Sequence, residues 1–486
     1  MITDHLGLRP IYYASRDGWF GFASEFHALV ADGRVARKLD VGAVADFFHH
    51  NYVMGDKTVL RDVKLVPPAS VLTWQNGRCR LKTYYDLPYP KTPPARSSVA
   101  TDEMIHETLR GAIRRIVRPG FRYGLSLSGG LDSRWLAILC RSEALDIRTF
   151  TFGPAESDEV RLAALVARRL NLSHERVELS GSFISEYGET IARLSGGMYN
   201  LTDAQEFPLG PHMSGNVDIS LGGLLGDILF GHEMNPLYRR LRRKDVVRYW
   251  MWRTQRARLP GETAQLVFGK RRARMFMEMA SASLRQAVDE APCSRGYQIA
   301  QYVNLRQRQR RFINIAQLCK LPYVEISHPL ADREVVEMAL QLNPDQLFME
   351  RAYRRAMVRH YPELADIPWT FAMLPPGASD ARLALARALQ LPIFRRMRGF
   401  KAGGRRLVAE RKPVADYRGW SRTILRPFIE QTLLSPHLEP LDIFEPDGLR
   451  KAVSRHMAGE LDITSFLGRA VAVALWAKSE SGPHAE

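Results

Sequence analysis

Apolar residues along the chain follow two rhythms, and the change from one to the other divides it. Ile11-Tyr12-Tyr13-Ala14 and Trp19-Phe20-Gly21-Phe22-Ala23 flank Ser15-Arg16-Asp17-Gly18, a β-rich pair around an Asp-Gly turn that predicts a hairpin. Ser70-Val71-Leu72-Thr73-Trp74 and Arg80 to Tyr85, turned at Gln75-Asn76-Gly77, predict a second. Between them, Ser24 to Leu29 predicts a short capped helix and Asp40 to His50 another. Pro88 to Ser98 carries too many prolines to continue strand or helix, and a domain boundary is placed there, giving units 1–95 and 96–486. Beyond it, Ile105, Leu109, Ala112, Ile113 and Ile116 recur at helical spacing. Apolar strands then alternate with helices: the strand at Leu125, the helix Trp135 to Leu139, the strand Arg148 to Gly153, the helix through Leu162, Leu165, Val166 and Leu170, and the strand Val217 to Leu221. That alternation predicts a doubly wound parallel α/β sheet, whose ligand sits beyond the carboxyl ends of the strands. Leu237 to Arg311 is largely helical in composition, Ala472 to Trp476 closes the last helix, and Ser479 to Glu486 is expected to fray.

Two strand ends carry the candidate chemistry. Leu125 to Leu127 runs into Ser128-Gly129-Gly130-Leu131-Asp132-Ser133 and then into an apolar helix. Gly129 and Gly130 lack a Cβ, so their backbone N–H groups can close on a phosphate, with hydroxyls from Ser128 and Ser133 and the positive end of the helix behind them. Asp132 would repel a bare phosphate, and makes sense if a divalent cation, Mg²⁺ above all, lies between the two. Val217 to Leu221 runs into Gly222-Gly223-Leu224-Leu225-Gly226-Asp227-Ile228-Leu229-Phe230-Gly231. Asp227 there is either a second oxygen ligand for the cation or a helix N-terminal acid satisfying free N–H groups.

The first loop resembles the pyrophosphate loop of the ATP pyrophosphatases, which include asparagine synthetase, GMP synthetase, NAD synthetase and tRNA-modifying enzymes. Gly223, Gly226, Asp227, Leu229, Phe230 and Gly231 match the second signature of asparagine synthetases. Asp4 to Tyr13, followed by Phe22-Ala23-Ser24-Glu25, resembles the second half of the glutaminase-type domain that opens the class B, glutamine-hydrolysing members. On these stretches the chain is identified as a member of the asparagine synthetase family. The resemblance implies a partial glutaminase-like α+β fragment of the Ntn hydrolase type, a pyrophosphate-loop synthetase domain and a helical C-terminal part. It places Ser126, Phe152 and Gly153 at adenine, Ser128, Gly129, Gly130 and Ser133 on pyrophosphate, Gly222 and Gly223 in the nucleotide site, and Asp132 and Asp227 on Mg²⁺. Tyr323 to Leu340 resembles the family's E-x-R-x-P-x-x-D segment through Glu325, Pro329 and Asp332. Glu325 is then a catalytic candidate beside the acyl-adenylate, orienting an amine or accepting its proton. As a residue it reads equally well as a structural acid paired to an arginine.

The implied activity is ATP-dependent adenylation of a carboxylate followed by attack of ammonia or an amine, as in asparagine biosynthesis. The departures bear on the substrate. Leu224 stands at a glutamate position, Ile228 at an acid, Ser327 at an arginine, and Ile367 to Pro375 lacks the family's lysine, for which Lys401 and Arg355 are the conceivable substitutes. There is no Cys at position 2, so glutamine hydrolysis in this polypeptide is not expected, and a separate glutaminase or biosynthetic partner protein is. These departures favour an amide ligase or cyclase acting on a peptide or specialised metabolite, as in β-lactam synthetases and lasso-peptide cyclases. A nucleotide-binding relative without catalysis is the further alternative.

Composition adjusts this picture little. The 486 residues carry 69 Lys plus Arg against 52 Asp plus Glu, a net +17 held in clusters at Arg239 to Lys244, Lys270 to Arg274, Arg306 to Arg311 and Arg395 to Lys412. Without interleaved aromatics these are expected to be solvated faces or contacts to anionic substrate rather than a nucleic-acid platform. Cys79, Cys140, Cys293 and Cys319 are far apart, as expected of free thiols in a reducing cytoplasm. No stretch approaches the length of a membrane span and no secretory leader is recognisable.

Overall fold

The computed structural model describes residues 1–389 except 17 and 235, together with 401–402, 405–406 and 412–480. Asp17 of the first predicted turn, the side chain of Lys401, most of the Arg395 to Lys412 cluster and the tail beyond 480 lie outside the described residues.

Both predicted hairpins form. β1 (Tyr12–Arg16) pairs with β2 (Trp19–Ala23) and, on its other side, with β3 (Val63–Leu65), all antiparallel. β4 (Ser70–Gln75) pairs with β5 (Arg78–Thr83) around Asn76 and Gly77, both at positive φ. The helix Val41–His50 is capped by Asp40, which accepts from the Ala43 N–H at 3.0 Å, and it buries Val44, Phe47 and Phe48. The helix Phe26–Val30 forms without a side-chain cap.

The body is a five-stranded, wholly parallel sheet made of β6 (Tyr123–Ser126), β7 (Ile147–Phe152), β8 (Ser173–Val177), β9 (Ile219–Leu221) and β10 (Glu325–Ser327), in the order β10-β9-β6-β7-β8. The chain winds outward from β6 in one direction through β7 and β8, and in the other through β9 and β10. Strand order therefore reverses between β6 and β9, and a crevice opens there beyond their carboxyl ends. Both glycine loops leave the sheet at that point. The central strands are apolar because both faces are covered. The edge strand β8 reads Ser-His-Glu-Arg-Val and carries no apolar signal.

The helix Leu131–Ser142 packs Trp135, Leu136 and Leu139 into the core, and the C-terminal helix Thr464–Glu480 is buried from Phe466 to Ala477. No helix among the described residues is long and apolar enough to cross a membrane.

The charge reading needs one correction. Arg306, Arg310 and Arg311 are not on a solvated face. They lie on a π-helical segment, Asn304–Ile313, with 6–8% exposure, and point into the N-terminal unit. Arg306 pairs with Asp86 at 2.7 Å, and Arg310 with Asp56 at 2.8 Å and the Val66 carbonyl at 3.0 Å. Arg311 donates to the carbonyls of Val53 and Lys57 at 3.2 and 2.5 Å. The wider turn brings successive guanidinium groups to carbonyls that an apolar side chain would leave unsatisfied.

Candidate active site

The Ser128 to Ser133 turn is held by its own hydroxyls. The Ser133 Oγ lies 3.0 Å from the Ser128 Oγ and accepts from the Ser128 N–H at 3.0 Å, while the Ser128 Oγ accepts from the Gly130 N–H at 3.2 Å. Gly129 turns its carbonyl to the Thr370 N–H at 3.0 Å. A side chain at Gly129 would run into Thr370, which is why that position has none. Buried Arg134 donates to the carbonyls of Ile367 and Pro368 and so fixes the 367–371 segment beside the loop.

The second loop locks onto the first. A Cβ at Gly226 would overlap the Asp132 carboxylate, and one at Gly223 would come within 3.0 Å of the Asp132 Cβ. Gly222 approaches His328 in the same way. Leu225, at φ 79°, turns the chain left-handed so that Asp227 enters the first turn of the helix Gly226–Phe230, where the residue before the helix makes no side-chain cap.

Asp132 and Asp227 are not alone. Glu350, 2% exposed, lies with Asp227 and His232 so that one ligand atom of each falls within 4.8 Å of the others. His232 Nδ1 is 3.4 Å from Glu350 Oε2 and 3.7 Å from Asp227 Oδ1. Met349 and Glu350 are successive residues at positive φ, 50° and 58°, a conformation that costs both side chains and aims the glutamate inward. Asp132 Oδ1 and Glu350 Oε2 are buried without a hydrogen bond among the described residues. Burial, then Asp227 and Glu350, push the Asp132 carboxyl well above the usual range. Burial opposes charge on His232, but Asp227 and Glu350 outweigh it and raise the imidazole to about 9.

The three acids share a scaffold. Each is followed three residues later by a buried aromatic: Trp135, Phe230 and Tyr353. Tyr353 stacks on Phe230 with centroids 3.9 Å apart and on Trp135 at 5.5 Å. Residues three apart share a helix face, so one stack fixes the first turns of three helices.

Ser126, Ser128, Gly130, Asp132, Ser133, Phe152, Gly222, Gly223 and Asp227 line one cavity of about 350 Å³. Gly129 borders it through Thr370. Gly153 sits just outside at φ 122°, its N–H on the Val177 carbonyl. Glu325 is not brought there. It opens β10, level with the amino ends of β9 and β6, its side chain 57% exposed and paired with Arg9 of the N-terminal unit. Arg355 pairs with Asp102 at 2.8 Å, away from the cavity.

Sequence reasoning missed Glu350, His232 and Glu206. Glu206 accepts from Ser126 at 3.1 Å, from Gln317 at 2.7 Å and from fully buried Lys320 at 2.5 Å. Burial alone would raise it; Lys320, then the hydrogen bonds, reverse this and leave it lowered and ionised. None of the three lies in a glycine motif. The only local hint was His232, directly after the second loop.

A family model for asparagine synthase matches residues 104–363, and one for a glutamine amidotransferase domain matches residues 1–85. Asparagine synthetase [glutamine-hydrolyzing] 1 of Bacillus subtilis is 23% identical over 236 residues, 47% of this chain and 36% of that protein. Putative asparagine synthetase [glutamine-hydrolyzing] 2 of Methanocaldococcus jannaschii is 23% identical over 48% of this chain and 47% of its own length. Asparagine synthetase B of Escherichia coli is 24% identical over 36% of this chain and 29% of its own. The chain thus spans less than half the length of these curated relatives.

Proposed function

The chain belongs to the asparagine synthase family, and from that premise we propose that it couples ATP cleavage to amide-bond formation through an acyl-adenylate. In the first step a carboxylate oxygen of the substrate attacks the α-phosphorus of ATP, and the bond to the β-phosphate oxygen breaks. Pyrophosphate leaves against the Ser128 to Gly130 turn and the Ser133 hydroxyl, where its growing charge meets preset donors. In the second, an amine nitrogen attacks the acyl carbon, AMP leaves, and the nitrogen gives up a proton.

Asp132 and Asp227 would hold Mg²⁺, whose chemistry when bound is to neutralise phosphate charge and orient the leaving group. The residues fit a cation: Asp132 Oδ1 is buried without a hydrogen bond among the described residues, and the missing Cβ of Gly226 is what admits that carboxylate beside the second loop. Phe152 and Gly153 are assigned to adenine, with Ser126 between nucleotide and acceptor. Glu206, ionised and held on three sides, is assigned to orienting the incoming amine. Glu325 and Arg9 are assigned to holding the N-terminal unit against the body.

The observation that carries this reading is the convergence of three acids on a glycine turn, with no lysine or arginine among the described residues that line the cavity, an arrangement that a nucleotide-bound cation completes. The same cavity bears on the acid. Among its described lining residues the one cationic side chain is His232, and Leu224, Ile313, Trp369 and Phe371 supply apolar wall. An acid with one carboxylate and an apolar body suits this better than a small dicarboxylate, which favours ligation or cyclisation of a larger substrate.

ATP–pyrophosphate exchange across a panel of carboxylic acids tests the proposal. Exchange with apolar acids or peptides is expected, abolished by Asp132→Asn. ATP binding without exchange for any acid would leave a nucleotide-binding protein in place of a ligase.

A further inference from the structure

We propose that Asp227, His232 and Glu350 form a mixed nitrogen–oxygen metal centre that takes Mn²⁺ in preference to Mg²⁺. The inference rests on the cation site of the reading above and deepens it by assigning His232 and Glu350 as further ligands beside Asp227. Its basis is the donor set. Mg²⁺ dehydrates reluctantly and takes oxygen ligands, whereas an imidazole nitrogen adds affinity for divalent ions further along the transition series. Here an imidazole Nδ1 stands between two carboxylates, with all three ligand atoms within 4.8 Å of one another, a spread that one ion can bridge.

Glu350 is the buried member of the group. Its side chain is 2% exposed, and among the described residues its Oε2 has no partner other than His232 Nδ1 at 3.4 Å, itself a member of the group, yet it is aimed at the cluster by a backbone held at φ 58°. A buried, strained glutamate beside two other acids is poorly explained as packing, since water, a chain partner or a ligand must satisfy it. His232 offers Nδ1 to the cluster, with its ring set edge-on against Phe371 at 4.6 Å. The Trp135–Tyr353–Phe230 stack behind the acids supplies the rigidity that a coordination site needs.

A second group of ligand-type residues, Glu103, His106 and His360, serves as an internal contrast. Its two imidazole rings are stacked face to face, 4.0 Å apart and 6° from parallel. Lone pairs lying in parallel planes do not converge on one ion. His106 is also occupied, with Nδ1 on Glu107 and Nε2 on the Tyr361 hydroxyl.

The test uses the full chain and Mn²⁺ alone, without nucleotide. Pulsed electron paramagnetic resonance of bound Mn²⁺ is expected to show coupling to one ¹⁴N nucleus. That coupling should vanish in His232→Gln and persist in His360→Gln. Glu350→Gln should weaken Mn²⁺ binding at least about tenfold, the scale on which lost metal-site partners act. Displacing Mn²⁺ should need a large excess of Mg²⁺. Since Glu350→Gln also removes a buried charge beside Asp132 and Asp227, a circular dichroism melt establishes that each variant is folded. Mn²⁺ bound with no ¹⁴N coupling, coupling that survives His232→Gln, displacement by equimolar Mg²⁺, or no binding by the folded parent would each overturn the proposal. Nitrogen-coupled Mn²⁺ in a protein that exchanges no pyrophosphate would leave this site standing and remove the ligase reading instead.

Discussion

Two regions of this molecule bury charge, and they do it in opposite ways. On the π-helical segment, Arg306, Arg310 and Arg311 enter the interior with their guanidinium groups on carboxylates and carbonyls of the N-terminal unit. Beyond β6 and β9, Asp132, Asp227 and Glu350 crowd one another with His232 as the cation among them. Saturated charge holds a structure together, whereas like charges left incomplete mark a place where something else binds. Net charge does not distinguish the two; the bookkeeping of partners does.

The contrast is broken most sharply by Asp132→Asn. Pyrophosphate exchange is expected to fall about a thousandfold, the upper range for losing one electrostatic contact to a transition state. The melting temperature should stay level or rise, because a buried carboxyl whose ionisation burial, Asp227 and Glu350 oppose is replaced by a neutral amide. A clear loss of stability would mean that the acid is structural. Arg311→Met tests the other side. It strands the Val53 and Lys57 carbonyls and should cost about 3 kcal/mol in urea unfolding, with exchange unchanged while the protein is folded.

His50 is a third case, a buried group kept neutral. Burial lowers its imidazole to about 4 from 6.5, with the Ala280 carbonyl opposing and Arg258 assisting. The stability this group contributes is complete above pH 6.5 and is lost as pH falls toward 4, because the unfolded chain takes up the proton first. Between pH 7 and 5 the loss should be about 2 kcal/mol, read as a falling urea midpoint. Burial raises Asp46 to about 6, so its contribution runs the other way over pH 4–6, while His49 and His328, also lowered to about 4 by burial, act with His50; a flat profile would overturn the prediction. The smallest effect is expected at the exposed Arg9–Glu325 pair. Glu325→Gln should change stability by less than about 1 kcal/mol and leave exchange within about threefold. A large loss of exchange would restore Glu325 to the chemistry.

These regions also differ in how far the sequence exposes them. The glycine loops were legible because a turn that must pass within contact distance of Asp132 has to dispense with side chains at Gly223 and Gly226. The hairpins and the strands β6, β7 and β9 follow from local pattern in the same way. Glu350 was not legible. It reaches the site through two left-handed residues more than a hundred positions from Asp227, and nothing in Phe-Met-Glu-Arg announces them. Glu206 and Lys320 were hidden for the same reason, since each is ordinary until the fold sets one against the other. β8 was missed because an edge strand needs no apolar alternation, and Arg306 to Arg311 were misread because composition cannot distinguish a solvated arginine from one capping a carbonyl.

The aromatic stack carries one more consequence. Asp132 and Trp135, Asp227 and Phe230, Glu350 and Tyr353 are each separated by the same count of residues, so the rings work as a common ruler against which three distant segments are set. Inserting one residue between Asp132 or Asp227 and its ring would turn that acid about 100° around its helix while the ring stayed in place, and one between Glu350 and Tyr353 would displace the left-handed residue that precedes the helix. Such a chain would keep its packing and lose its chemistry, which makes single-residue length changes at these three points, rather than substitutions, the simplest route by which a descendant could retain the fold as a silent scaffold.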